Sequence, residues 1–310
     1  MNNQTSISKA TEAHQSNLQL QRDQHPLVDD QTFPSMEAYV SQLIHRKAYE
    51  EAARLVAGKT VLDVGCNVGY GLQVLASSAA SIAGIDVSPK AVESAKRRLG
   101  STADIRAYDG VRCSFESGAF DVVTSFQVLE HVSDTPAYFS EIIRLVRPGG
   151  IVVFTTPNAR LRLDPGMKPW NQFHVREYTP AELKELLSAR FDAVEVRGLF
   201  GNEELYEMER NRCERARAAA RARPAGLRLA FRKTMKRALP WLASARNAWR
   251  VRARIAKEKG RLAPAELNRF STRDLFYKDD PLDDALDLMA ICRGARKPSA
   301  FGSRQQQVEV

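Results

Sequence analysis

Val61-Leu62-Asp63-Val64-Gly65-Cys66-Asn67-Val68-Gly69-Tyr70-Gly71 is a short apolar run that enters a glycine-rich turn and leaves it as a helix. Glycines at 65, 69 and 71 allow positive φ and a close approach of backbone to ligand, and the helix that follows would aim free N–H groups at the same place. Such turns also carry glycines for packing alone, so this one gains meaning from its surroundings.

Working outward, Leu72 to Ala80 reads as a helix and Ser81 to Asp86 as a second buried strand ending in a carboxylate. An acidic residue about 20 positions beyond a glycine turn stands at the tip of the neighbouring strand, where it can accept two hydrogen bonds from a ribose diol. Asp86 fills that position, and Ser88-Pro89 beside it also suits a helix start. Ala91 to Leu99 predicts a helix, Asp104 to Tyr108 a third strand ending at Asp109-Gly110, and Phe120 to Phe126 a fourth strand running into Gln127-Val128-Leu129-Glu130-His131. Tyr138 to Val146 is amphipathic, Pro148-Gly149-Gly150 stops it, and Ile151 to Thr156 makes a fifth strand. Strands alternating with helices indicate a parallel sheet covered on both faces.

The run from Val61 to Asn158 resembles class I S-adenosylmethionine-dependent methyltransferases, in particular the group with Leu-Glu-His-Val after the fourth strand (here Leu129 to Val132) and Arg-Pro-Gly-Gly before the fifth (Arg147 to Gly150). Asn67 stands where that family more often has glycine; Asn tolerates left-handed geometry, so the loop should survive. The resemblance implies an α/β fold with a seven-stranded Rossmann-like sheet, helices on both faces, and a last strand running antiparallel at the sheet edge. S-adenosyl-L-methionine is then the expected cofactor. By position, Asp63 to Gly69, with Gly65, Cys66 and Asn67, would hold its methionine part. Asp86 with Val87 would take the ribose hydroxyls, Asp109 with Gly110 the adenine amino group, and Phe126 and Gln127 would border the sulfonium.

Methyl transfer aligns donor and nucleophile and often needs a proton acceptor, a task that suits histidine near neutral pH. His131, with Glu130 beside it, and His174 in Trp170 to Thr179 are the catalytic candidates; bracing of the loop by Glu130 and His131 is the structural alternative. Ubiquinone-pathway and small-RNA end methyltransferases show Glu-x-x-Glu-His here with a later histidine completing a divalent-metal site. Gln127 replaces the first carboxylate, a poorer ligand for a hard cation, so a metal is left open.

Phe173 to Pro180 and Leu282 to Cys292 are similar to stretches of bacterial methyltransferases acting on cell-envelope glycans. Ala193 to Val196 and Leu286 to Cys292 would be the sixth and seventh strands. Between them, Leu205 to Leu262 holds 18 Lys or Arg against four Glu, a net +14 within a chain of net +9. Leu227, Phe231, Met235, Ala238, Leu242, Ala245 and Trp249 recur at helical spacing there, and Pro240 breaks or restarts the helix. A lid on the core, a helix on an anionic membrane surface with Trp241 and Trp249 at the interface, and a nucleic-acid contact are the three readings.

The expected organisation is a disordered N-terminal arm (1–33), a methyltransferase core (34–199), a basic helical insertion (200–270), a return carrying the last strand (271–295) and a disordered tail (296–310). Cys66, Cys113, Cys213 and Cys292 lie far apart, which argues against a zinc ribbon or disulfide framework. No signal segment and no run of about 18 apolar residues is seen, so a cytoplasmic protein, at most peripheral on the inner membrane face, is expected. The leading expectation is O-methylation of a sugar hydroxyl in an envelope glycan or lipid-linked precursor. The alternative is a quinone-pathway type of small-molecule O-methyltransferase, and a nucleic-acid methyltransferase or nucleic-acid-binding protein stands behind both.

Overall fold

A computed structural model describes residues 2–28, 30–222 and 262–296. In order these form α1 (Asn2–Gln24), α2 (Met36–Ala52), β1 (Thr60–Val64), α3 (Tyr70–Leu75), β2 (Ser81–Asp86), α4 (Pro89–Leu99), β3 (Ala103–Ala107) and β4 (Phe120–Phe126). There follow α5 (Thr135–Leu145), β5 (Val146–Pro157), α6 (Ala159–Arg162), α7 (Pro180–Ser188), β6 (Phe191–Gly201), α8 (Glu203–Arg221), α9 (Pro264–Leu267), β7 (Leu275–Lys278) and β8 (Asp287–Ala295).

All eight strands join one sheet in the order β3-β2-β1-β4-β5-β8-β6-β7. The first five are parallel. Alternation along each central strand feeds two cores: Leu62, Val123 and Val152 pack with Phe139 and Ile142 on one face, while Val61, Val122 and Val153 pack with Leu72 and Leu75 on the other. Each such side chain contributes about 1.5–3 kcal/mol by leaving water. Caps set where the helices start: Ser88 accepts from the Ala91 N–H ahead of Pro89, Asp134 from Ala137, and Thr179 with Glu182 forms a reciprocal capping box ahead of Pro180.

Three expectations change. The sheet has eight strands, because Leu275–Lys278 pairs antiparallel with Gly198 to Gly201. The last strand is interior, antiparallel to both β5 and β6; six consecutive buried residues from Asp287 to Cys292 suit a strand covered on both faces. The N-terminal arm, expected to be disordered, is helical over Asn2–Gln24 and leads into a segment that lies along the cleft. Its polar sequence carries no apolar stripe, so docking depends on individual contacts such as Leu18 against Gly110 and the hydrogen bond of Gln21 to Phe173.

β6 passes directly into α8, which buries Leu205 and Cys213. The apolar stripe from Leu227 to Trp249 and the tail beyond Arg296 lie outside the described residues. Among the described residues no helix is long and apolar enough to cross a membrane.

Candidate active site

The turn after β1 is built around positive φ at Gly65 (81°), Asn67 (46°) and Gly69 (79°). Asn67 therefore does adopt left-handed geometry, and its Oδ1 accepts from its neighbour Val68 (2.9 Å) and from Val28 of the arm (3.0 Å). A Cβ on Gly65 would stand 2.4 Å from Val128 Cγ2. Gly71 serves differently from the reading above: its φ is not positive, and its missing side chain makes room for the Tyr49 ring, 2.0 Å from where a Cβ would be. Gly69 likewise packs on α4, so Gly65, Cys66 and Asn67 line the cleft while Gly69 supports them from behind.

Asp63 is also behind the wall. Fully buried, it accepts from Tyr49 Oη (2.9 Å) and Thr124 Oγ1 (2.8 Å), and burial pushes its carboxyl up to about 7. Asp86 does line the cleft, with Val87 beside it. Its carboxylate accepts the N–H groups of Asn67 (2.9 Å) and Ser88 (2.8 Å), which fix its orientation, while burial raises its pKa. Asp109 departs from expectation: exposed at the surface, it accepts from Val111 (2.8 Å) and Arg112 (2.7 Å) as a turn aspartate and faces a smaller recess against α1. Tyr108 and Gly110, on either side, are the residues that reach the main cleft.

Phe126 and Gln127 border the cleft. Gln127 has φ 57°, and its amide donates to both Asp287 oxygens (3.0 Å each) and to Thr155 (3.2 Å). Its side chain is thereby committed to the sheet.

Glu130, His131 and His174 converge: one ligand atom from each lies within 4.8 Å of the others. The join is made by backbone, since the Glu130 carbonyl accepts the N–H groups of Val175 (2.7 Å) and Arg176 (3.3 Å) and so fixes the loop that carries His174. His131 Nδ1 meets the Phe173 carbonyl (2.9 Å) and His174 Nδ1 meets the Glu177 carboxylate (2.6 Å). Both partners only accept, so each Nδ1 carries a proton and Nε2 is the ring nitrogen left to face a ligand. Glu130 is buried, accepts from Thr156 Oγ1 (3.0 Å), and is raised in pKa by that burial. Burial, followed by the nearby His174 and His25, lowers His131 to about 3, so it stays neutral at physiological pH.

The cleft, about 490 Å³, is of small-molecule size. Sequence reasoning missed much of its wall. The arm closes one side: Gln21 Nε2 donates to the Phe173 carbonyl (2.8 Å), His14 bonds Ser133 (2.8 Å), and the His25 ring stands edge-on to His131 at 5.0 Å. His45, Arg162, Trp170 and Arg212 line it as well. Only tertiary packing brings them together, and no local motif marks them.

A protein family described as "Methyltransferase domain" matches residues 35–192. A probable S-adenosylmethionine-dependent methyltransferase of Mycolicibacterium smegmatis is 36% identical over 188 residues, covering 59% of this chain and 72% of the relative. A ubiquinone biosynthesis O-methyltransferase of Cupriavidus pinatubonensis is 30% identical over 178 residues, covering 50% of this chain and 70% of the relative. The crystal structure of the 4+2 cyclase SpnF shares the fold, with a TM-score of 0.50 at 18% identity over 93% of this chain and 97% of that one.

Proposed function

The chain belongs to the methyltransferase-domain family and is an S-adenosylmethionine-dependent methyltransferase (EC 2.1.1), and from that premise we propose that it methylates a hydroxyl of a small-molecule acceptor. The observation that carries this reading is the meeting of Glu130, His131 and His174 in the cleft wall, with both imidazoles bonded through Nδ1 and so presenting Nε2. A hydroxyl nucleophile must lose a proton as it attacks, and a neutral imidazole within reach is suited to take it.

When bound, S-adenosylmethionine supplies a methyl group activated by its sulfonium charge. Gly65 to Asn67 and Asp86 with Val87 would hold the methionine and ribose parts, Tyr108 and Gly110 the adenine end, and Phe126 the surroundings of the sulfur. Asp63 and Gly69 shape that wall without touching it. His174 is the proposed base, its Nδ1 proton held by Glu177, and His131 and Glu130 position it. The same three donors fit a divalent cation, since two imidazole nitrogens and a carboxylate with their other atoms hydrogen-bonded make a familiar ligand set. Such a cation, held by Glu130, His131 and His174, would acidify a coordinated hydroxyl. Gln127 takes no part in that set, because its amide is bonded to Asp287 and Thr155.

The small-molecule reading has more support than the sugar-hydroxyl one. Relatives 30–40% identical include ubiquinone biosynthesis O-methyltransferases. The stretches that suggested glycans have evident structural duties: Thr179 caps α7, and Asn158 Nδ2 donates to the carbonyls of Leu282, Asp283 and Ala285. For the basic segment, burial of Leu205, Glu209 and Cys213 by α8 supports the lid reading over its first turns; contact with an anionic membrane or nucleic acid would fall to the rest.

Labelled methyl transfer into fractionated cell extract, with and without chelator, tests the proposal. Label should enter small hydroxylated molecules, and His174→Ala should lower kcat by about 10²–10⁴-fold. Label confined to glycan or RNA, or near-normal rates in both His131→Ala and His174→Ala, would overturn it.

A further inference from the structure

Beyond the histidines the cleft continues to a wall made by three elements distant in sequence: α2 with His45, α6 with Arg162 and α8 with Arg212. We infer that Arg162, Arg212 and His45 form an oxyanion subsite, so that the acceptor carries a carboxylate or phosphate group in addition to the hydroxyl that is methylated. The inference rests on the small-molecule methyltransferase reading above and deepens it.

Each guanidinium is aimed by a buried carboxylate that occupies one of its edges. Arg162 donates through Nε and Nη2 to Glu177 (2.9 and 3.1 Å), and Arg212 donates through Nε to Glu209 Oε2 (2.7 Å) and through Nη2 to the other oxygen. Neither Nη1 group has a hydrogen-bond partner among the described residues, although both side chains line the cleft. A guanidinium presents five N–H donors in a rigid fork, so the Nη1 group of each is left to meet a ligand in the cleft. Two such edges facing one cavity match a planar or tetrahedral oxyanion. Arg162 is further held by the Trp170 ring, 4.5 Å from its Cζ.

His45 reports the field at this wall. Burial, then Arg212 and Arg162, depress it to about 4, so the imidazole is neutral and free to share a proton with a bound oxyanion. Glu177 links this wall to the proposed base, because the carboxylate that pairs with Arg162 also accepts from His174 Nδ1 (2.6 Å).

Calorimetric titration of the full chain saturated with S-adenosylhomocysteine tests this, using two matched pairs: protocatechuate against its methyl ester, and glucose phosphate against glucose. The charged member of at least one pair should bind about tenfold more tightly than its neutral partner; which pair responds separates carboxylate from phosphate. Arg212→Gln should reduce that ratio to about twofold or less. The double variant Arg212→Gln/Glu209→Gln, which leaves no unpaired buried charge, should do the same. Absence of a preference in both pairs, or a preference that survives both variants, overturns the subsite while leaving the methyltransferase site standing. Failure of the wild type to bind S-adenosylhomocysteine would overturn the parent reading and this one together.

Discussion

Replacing Asp63 by Asn removes a charge from beneath the glycine turn with little change of shape, and the effect should depend on pH. Asp63 is fully buried and accepts from Tyr49 and Thr124. Its folded pKa of about 7 stands above the value of about 3.9 expected in the unfolded chain. Between those values the native state binds more protons, so the stability this group contributes is fully present below about pH 4 and is lost as pH rises through about 7. Integration from pH 5 to pH 8 gives a loss on the order of 2–3 kcal/mol. Asn cannot ionise and escapes that loss. Its Oδ1 can still accept from Thr124, while Tyr49 must turn its hydroxyl to accept from the new amide, a pH-independent change of about 0.5–1.5 kcal/mol. Urea denaturation of both proteins at pH 5 and pH 8 should therefore show the variant gaining on the wild type by on the order of 2–3 kcal/mol at the higher pH. An equal difference at both pH values would refute the reasoning. It would mean that two hydroxyl donors keep the carboxylate ionised in spite of its burial.

Gly65→Ala should cost about 1–2 kcal/mol for a Cβ at φ 81° and push the turn off Val128. Calorimetry should record more than about tenfold weaker S-adenosylhomocysteine binding, with Gly65→Ala/Val128→Ala recovering only part, because the second change relieves the clash and not the φ strain. Deleting residues 2–24 removes the Gln21 and His14 bonds that hold the arm over the cleft; S-adenosylhomocysteine affinity should fall about fivefold or more while the melting temperature moves by no more than about 4 °C. Unchanged affinity after that deletion would show that the arm merely rests on the surface.

The part of the cleft wall expected to hold the donor was legible because contiguous backbone makes it. Positive φ at Gly65 and Gly69 and the carboxylate at Asp86 are consequences of local sequence, and strands such as Ser81–Asp86 and Phe120–Phe126 have the expected bounds. Asp109 shows how the same logic overreaches: a turn aspartate has its own backbone N–H groups to bond, and those of Val111 and Arg112 take its carboxylate. β7 escaped notice because four residues, Leu275–Lys278, are too few to display a period. The N-terminal helix escaped for another reason: its docking rests on single contacts, such as Gln21 to Phe173 and Leu18 to Gly110, which leave no pattern in composition.

The proposed acceptor half is written in long-range pairs. Glu177 is unremarkable in sequence, yet its carboxylate holds both the His174 imidazole and the Arg162 guanidinium. Burial opposes its ionised form, but the bonds from His174 and Arg162 outweigh that and keep its pKa below the usual value. In the proposed reaction this carboxylate would couple two tasks: it would stabilise the imidazolium formed if His174 takes a proton, and it would aim Arg162 at the far wall. Under that proposal proton acceptance and acceptor recognition would share one residue, and a substrate lacking the anionic group would lose alignment at the hydroxyl as well as affinity.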